Sequence, residues 1–398
     1  MEKQMNKYAT PEIVPNVYAI GSRDWNRRIF DAIAPTPEGT TYNSYLIKGS
    51  EKTAVIDTMH EDFKDTWLGK IEQILGKIKL DLVIMNHAEP DHGGAIPTIL
   101  KLCPDAKLVC SKKGAEMAAK FYHVSENRMM VVDDSTVIDL GDKTLKFIPA
   151  PFIHWPETMM TWLEEDKILF SCDFFGAHNT TGWYDDDAEN VIWLARKYFA
   201  EIMMPLRKSG QAAMDKIKDL NIKLIAPSHG PIYKNPERIM PEYNKWTTGE
   251  TKAKVLLLYV SMYHTTENMI LAMAEPLLEK GIDVRIFDLV KTNIGDLAGH
   301  LLDTRAVVIG SPTIVGNPHP MIAYLAATLK TLKPPVKYAF VIGSKGWGGG
   351  GVSKAIKLLE ETKIEIAGSI DTPGVPGDDG FDEVRKAGYD LADKILAG

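Results

Sequence analysis

The six residues His87-Ala88-Glu89-Pro90-Asp91-His92 constrain this chain more than any other stretch, because they place four potential metal ligands directly after the apolar run Leu80-Asp81-Leu82-Val83-Ile84-Met85. Such a run followed by a polar, Pro-containing turn reads as a buried strand handing over to a loop. Alternate positions of an extended chain point to one side, so His87 and Glu89 aim together, while Asp91 and His92 aim past them toward a second centre. One short loop can serve two ions, and other strand ends must supply the remaining ligands.

Four residues downstream read as its partners, each where a strand should give way to a loop. His154 follows Thr144-Leu145-Lys146-Phe147-Ile148, and Asp173 follows Ile168-Leu169-Phe170-Ser171-Cys172. His178 lies on the next loop, and His229 follows the run Ile222 to Ile225. Ligands at strand ends inherit the rigidity of a sheet, where a preorganised metal site belongs. For a lone histidine a hydrogen-bonded core or surface role is the ordinary reading, and His60, His123, His300 and His319 are read so. The six-residue loop with its strand-end partners instead predicts a two-metal site.

The 398 residues suffice for two ordinary domains, and 45% hydrophobic with 25% charged residues is the balance of a soluble globular protein. There is no run of about eighteen apolar residues to span a bilayer. The polar start Met1-Glu2-Lys3-Gln4-Met5-Asn6-Lys7 lacks the apolar core of a secretion signal, so a cytoplasmic protein is expected. Cys103, Cys110 and Cys172 form no CxxC pair, which argues against a disulfide framework and against a Cys-ligated zinc or iron–sulfur site. A net charge of −7, with no basic cluster interleaved with aromatics, argues against nucleic-acid binding.

Up to about residue 250, short strands (Thr41 to Ile47, Lys52 to Asp57, Leu80 to Met85, Lys107 to Cys110, Met129 to Asp133) alternate with helical apolar spacing over Asp62 to Leu75, Lys112 to Tyr122 and Asp187 to Met204. The polar segment Tyr243 to Lys252 precedes an abrupt apolar strand, Lys254 to Tyr259, and marks a boundary between a first domain over 1–250 and a second over 251–398. Beyond it, strands near Lys254, Asp283, Ala306, Tyr338 and Ile364 alternate with helical runs, the rhythm of a doubly wound five-stranded parallel sheet.

In that fold, ligands bind at the carboxyl ends of the first and third strands. The loop after the first, Ser261-Met262-Tyr263-His264-Thr265-Thr266, opens directly into a helix whose free N–H groups and dipole suit a phosphate. After the third comes Ser311-Pro312-Thr313-Ile314-Val315-Gly316-Asn317, and after the fourth Ser344-Lys345-Gly346-Trp347-Gly348-Gly349. The glycines let backbone amides approach a planar ring, and Trp347 offers a flat apolar face. No GxGxxG follows the first strand, which favours FMN over a dinucleotide.

With both halves in view, the chain resembles the flavodiiron proteins, or A-type flavoproteins, over nearly its full length. The motifs that carry the resemblance are Asp24-Trp25-Asn26-Arg27, Gly39-Thr40-Thr41-Tyr42-Asn43, the six-residue loop, His154-Trp155-Pro156-Glu157-Thr158-Met159, Asp173-Phe174-Phe175-Gly176 and Ser228-His229-Gly230. The resemblance implies an α/β chain: a metallo-β-lactamase-like αββα sandwich followed by a flavodoxin-like doubly wound five-stranded parallel sheet. It implies one iron held by His87, Glu89 and His154, a second held by Asp91 and His229, and Asp173 bridging them. The residue at the position of His92 ligates in some members and stands off in others, which leaves its role open. Tyr198 falls on a position beside the diiron pocket, within reach of a bound oxygen species. Asp31, in Arg28-Ile29-Phe30-Asp31, stands where many relatives carry a pocket histidine, and is expected either to take over its hydrogen bonding or to turn outward.

Glu89 favours iron by its own chemistry. Hydrolases of this fold commonly use HxHxDH for zinc, and a carboxylate at the second position adds negative charge and a hard oxygen, which shifts preference toward iron or manganese. The expected function is reduction of dioxygen to water, of nitric oxide to nitrous oxide, or both, at a diiron centre fed by FMN. A metal-dependent hydrolase with an appended flavodoxin domain is the competing expectation. The resemblance further implies a head-to-tail homodimer in which the flavin of one subunit faces the metals of the other, with pairing into tetramers left open. The chain to Gly398 carries no four-cysteine rubredoxin module and no NAD(P)H-reductase domain, so electrons are expected from a separate donor, rubredoxin or reduced coenzyme F420.

Overall fold

Alternation along the strands sorts the apolar residues of the first half into two cores. In the strand Tyr45–Lys48, Tyr45 and Ile47 join one core and Leu46 the other; Ala54 and Ile56 against Val55, and Leu82 and Ile84 against Val83, repeat the pattern. Successive side chains of a strand point to opposite faces, so strands apolar on both must be covered on both. One face meets a second sheet, where Tyr45, Ile47 and Ile84 share a core with Phe147, Leu163, Ile168 and Phe170. The other meets helices, where Leu46, Val55 and Val83 share a core with Trp67, Ile71, Ile99 and Ala118.

The computed structural model describes residues 7–398, and the stretch Met1 to Asn6, read above as lacking a secretion signal, lies outside the described residues. The chain divides into two compact units, one running to Phe199 and resuming over Leu206–Thr247, the other combining Ala200–Pro205 with Thr248–Gly398. In the first, a seven-stranded sheet runs in the order Glu12–Val14, Val17–Ala19, Tyr45–Lys48, Thr53–Ile56, Leu82–Ile84, Lys107–Ser111, Met129–Val132. Its companion has five strands: Val137–Asp139, Thr144–Pro149, Met159–Leu163, Ile168–Cys172 and Leu224–Pro227. This is the αββα sandwich that the family resemblance implies.

In the second unit the order Asp283–Asp288, Lys252–Tyr259, Thr304–Ile314, Tyr338–Lys345, Glu365–Pro373 is parallel throughout. The first strand in the chain is thus second in space, with the connections wound both ways, the flavodoxin-like order. Val255 and Leu257 pack with Met269, Met273, Val384 and Leu391, and Leu256 and Leu258 pack with Leu297, Leu325, Leu329 and Val352, so helices cover both faces. A two-residue strand, Asn317–Pro318, adds an antiparallel edge to Thr304–Ile314.

Four local expectations are corrected or refined. The run Thr41 to Ile47 is not one strand but two, Thr40–Tyr42 and Tyr45–Lys48. Asn43 between them donates from Nδ2 to the carbonyls of Pro227 (2.9 Å) and Gly230 (2.8 Å), which ties the break to the loop carrying His229. The helix expected over Asp187 to Met204 is α-helical only over Val191–Tyr198, and continues as a π turn, Phe199–Met203, which side-chain spacing does not signal. The polar boundary segment from Tyr243 begins inside a helix, Met240–Thr248, and Tyr243 packs on Phe174 and Phe175 at ring distances of 4.9 and 4.4 Å. Ser311 to Ile314 belong to a strand rather than a loop, because Ser311 and Pro312 stay paired with Gly343 and Ser344. No helix among the described residues is long and apolar enough to cross a membrane.

Candidate functional sites

The loop after Leu82–Ile84 delivers its ligand types in two steps. His87 and Glu89 leave the strand in extended chain, and Pro90 then starts the short helix Pro90–Gly93 that carries Asp91 and His92. Proline suits the first helical position, where its missing N–H costs nothing. Gly94 lets this turn pack tightly, since a Cβ there would lie 2.6 Å from the Pro90 carbonyl oxygen and 2.9 Å from that of Met59. Loops after Thr144–Pro149, Ile168–Cys172 and Leu224–Pro227 bring His154, Asp173 and His229 to the same end of the sandwich.

These seven residues form two groups around one carboxylate. The first is His87, Glu89, His154 and Asp173: Glu89 Oε2 lies 3.0 Å from His87 Nε2 and 3.1 Å from His154 Nε2, and Asp173 Oδ2 lies 3.5 and 3.2 Å from the same nitrogens. The second is Asp91, His92 and His229: Asp91 lies 3.3 Å from His92 Nε2 and 3.1 Å from His229 Nε2. Asp173 Oδ1 faces that group, 3.1 Å from His92 Nε2 and 3.5 Å from His229 Nε2. One oxygen of Asp173 therefore serves each side.

Both carboxylate oxygens of Asp91, both ring nitrogens of His92 and Asp173 Oδ1 are buried without a properly directed hydrogen bond. Buried polar atoms are almost always paired, so this convergence of unpaired nitrogen and oxygen donors fits a pair of cations. The electrostatics agree. Burial by itself would lower the histidines, but hydrogen bonds to Glu157 and Glu89 hold His87 at about 10, the Asp91 and Asp173 carboxylates hold His92 at about 10, and Asp173 and Glu89 hold His154 at about 10. Asp173 is held well below the carboxylate range by His92 and His154 although burial opposes it. A negative field that strong recruits protons in place of metal.

The imidazoles are oriented from behind. His87 Nδ1 pairs with Glu157 Oε1 at 2.7 Å, and the same oxygen accepts the Ala88 N–H at 2.8 Å. His229 Nδ1 pairs with the Thr41 carbonyl at 2.5 Å. Deeper still, Asp57 accepts the Asn86 N–H at 2.8 Å, and Thr161 donates to Asn86 Oδ1 at 2.7 Å. Burial pushes Asp57 up to about 6, with His92 and the Asn86 amide holding it back.

The other sequence candidates lie around the cluster. His178 is buried behind His229 (ring distance 5.2 Å), with Nδ1 on Thr40 Oγ1 at 2.8 Å, and belongs to neither ligand group. Burial, then the neighbouring His229, pushes its pKa well below the ordinary value, so it is a neutral imidazole. Tyr198 is buried against His178 (4.9 Å) and His229 (5.8 Å), and its phenol is pushed far up by burial and by Asp173. A cavity of about 180 Å³ opens beside the cluster, lined by Arg27, Phe30, Asp31, Tyr42, His60, Glu89, Pro90 and Asp91. Asp31 is exposed at its edge, pushed up to about 6 by desolvation there and by Glu89 and Asp91. Sequence reading missed His60, which stacks on Tyr42 at 5.3 Å, and gave Tyr42 and Glu157 no individual role. An isolated histidine and a motif tyrosine signal nothing until the fold sets them facing one cavity.

In the second unit the three glycine- and hydroxyl-rich segments meet at the carboxyl ends of the strands. The first and fourth touch through Thr266 Oγ1 and Ser344 Oγ, 3.2 Å apart. The third strand meets the first segment closely, since a Cβ on Gly310 would lie 3.0 Å from Thr266 Cγ2. The helix Thr265–Glu279 begins at His264, a left-handed residue (φ 64°) with no side-chain cap, and Ser261 Oγ accepts the Glu267 N–H at 3.3 Å. Met262, Tyr263, Val315 and Trp347 are exposed, Trp347 by 97%. Space is open beside Gly346 and Gly348, where a Cβ would meet nothing within 4 Å. A helix start that its N-cap residue His264 leaves open, beside open glycines and bare aromatic faces, fits a phosphate joined to a flat ring.

Residues 40–230 match the family model described as ODP family beta lactamase. The chain is 38% identical to a nitric oxide reductase of Moorella thermoacetica, over 96% of this chain and 98% of that protein. It superposes on the flavodiiron protein of Giardia intestinalis with a TM-score of 0.93 at 30% identity, covering 98% of both chains. The rubredoxin oxygen:oxidoreductase of Desulfovibrio gigas superposes equally well, with a TM-score of 0.93 at 26% identity over 98% of this chain and 99% of that one.

Proposed function

The chain belongs to the flavodiiron protein family, and we propose that it reduces dioxygen to water, nitric oxide to nitrous oxide, or both, with the residues up to about 250 holding two irons and residues 251–398 holding FMN. The observation that carries this reading is Asp173, whose Oδ2 lies 3.2 Å from His154 Nε2 and whose Oδ1 lies 3.1 Å from His92 Nε2. On this reading His87, Glu89 and His154 hold one iron, Asp91, His92 and His229 the other, and Asp173 both. The segments Ser261 to Thr266, Ser311 to Asn317 and Ser344 to Gly349 hold FMN.

When bound, the irons and the flavin supply the electron chemistry that side chains lack. The protein's share is orientation and exclusion. A proton on His87 Nδ1 is held by Glu157 and one on His229 Nδ1 by the Thr41 carbonyl, which leaves each Nε2 lone pair free to ligate. Phe30, Tyr198 and neutral His178 pack around His229 and keep water from its back. Tyr198 keeps its phenol proton, held beside the Asp173 carboxylate, and Asp31 sits at the cavity edge rather than among the ligands.

The hydrolase alternative is disfavoured by the oxidoreductase names of the relatives and by the flavodoxin-like unit. Rubredoxin, named in one structural relative, is the donor we favour, with reduced coenzyme F420 the other. The assembly we infer is a head-to-tail dimer. Cys103, Cys110 and Cys172 are free thiols, which supports a reducing, cytoplasmic setting. Purified protein should carry flavin and about two irons per chain by absorption and metal analysis. Zinc without flavin, together with hydrolytic activity, would overturn the reading.

A further inference from the structure

Tyr42 combines three properties that no other residue around the metal cavity shares. It lines the cavity, it is only 1% exposed, and its hydroxyl has no properly formed hydrogen bond. Leaving a buried hydroxyl unpaired is unfavourable, and native structures avoid it unless something else satisfies the group. Tyr233 and Tyr243 are also buried phenols without a partner, but neither lines that cavity.

The ring is fixed by packing rather than by its oxygen. His60 stacks on it at 5.3 Å with 29° between planes, Phe63 lies at 5.5 Å and the His229 ring at 5.9 Å. Beside the phenol oxygen stands the Arg27 guanidinium, itself anchored to Asp24 at 3.1 Å. Guanidinium has only donors. It can favour the phenol oxygen but cannot take the phenol proton, so that proton needs an acceptor elsewhere, and Glu89 and Asp91 line the same cavity as the Tyr42 ring.

Building on the diiron reading of the adjoining cluster, we propose that Tyr42 is a hydrogen-bond donor to the small ligand held in this cavity, with Arg27 polarising the phenol. The hydroxyl then acts from the cavity side of His229, whereas Tyr198 lies against both His229 and His178. Such a donor favours ligands that carry or develop negative charge, and so bears on which gas the protein takes.

The test uses the full chain with its iron and FMN, and azide as an anionic probe of the oxidised metals. Tyr42→Phe keeps the ring stack and removes only the hydroxyl. Azide should bind about tenfold more weakly to the variant, the size expected for one hydrogen bond to a charged acceptor. The azide infrared band should shift between H2O and D2O in the unmodified protein and not in Tyr42→Phe. Tyr233→Phe, which removes an equally buried and unpartnered phenol away from the cavity, should change neither. Unchanged azide affinity in an iron-loaded Tyr42→Phe protein overturns the proposal alone, and so does loss of iron from that variant, which would make the hydroxyl structural. An unmodified protein that holds no iron pair overturns the metal reading and this proposal with it.

Discussion

At the scale of single residues the site depends as much on what holds the ligands as on the ligands. Glu157 accepts from both His87 Nδ1 and the Ala88 N–H, so one carboxylate fixes the ring and the backbone entering the six-residue loop. Glu157→Gln keeps the shape but loses the charge that favours the Nδ1 proton. Metal affinity should fall about 10–100-fold, read as iron retained per chain against a graded chelator series; full retention would contradict the role. Glu157 was legible only as part of a motif, because nothing in its neighbours says which histidine it serves. The six-residue loop was legible because its chemistry is local, whereas His60 and Tyr42 gain meaning only from residues distant in the chain. Asp31 is exposed at the cavity edge. A carboxylate there adds to the negative field of Glu89 and Asp91, which bound cations would offset.

At the scale of elements, period-two alternation made the strands readable and left their ends ambiguous. The break at Asn43 and Ser44 has no apolar signature, since it is made by Asn43 reaching the Pro227 and Gly230 carbonyls. The π turn at Phe199–Met203 is equally silent in the sequence. Where alternation is unbroken, as in Val255-Leu256-Leu257-Leu258, both faces are core and each side chain contributes by burial. Leu257→Ala should destabilise the second unit by about 2–5 kcal/mol, seen as a lower urea midpoint for flavin release. An unchanged midpoint would mean that the strand is not the centre of that unit's core.

At the scale of the whole molecule, the doubly wound sheet followed from the rhythm of strands and helices, because a parallel sheet covered on both faces leaves few alternatives, whereas the αββα sandwich followed from the family resemblance. Assembly is not written in the same way, and it is testable by mixing subunits. A dimer of one subunit lacking Asp173 (Asp173→Ala) and one lacking the flavin segment contacts (Trp347→Ala with Gly348→Asp) should recover up to about half of the unmodified activity if flavin and metals act across subunits. No recovery in confirmed mixed dimers would place both cofactors' partnership within one chain. Whether the Asp173-centred cluster is a redox pair fed by flavin is decided by stopped-flow reoxidation of the fully reduced protein with dioxygen and with nitric oxide. At least one gas should reoxidise the protein far faster than it reoxidises free reduced FMN, and Asp173→Ala should abolish the difference. Reoxidation by both gases no faster than that of free flavin would contradict a redox pair fed by flavin.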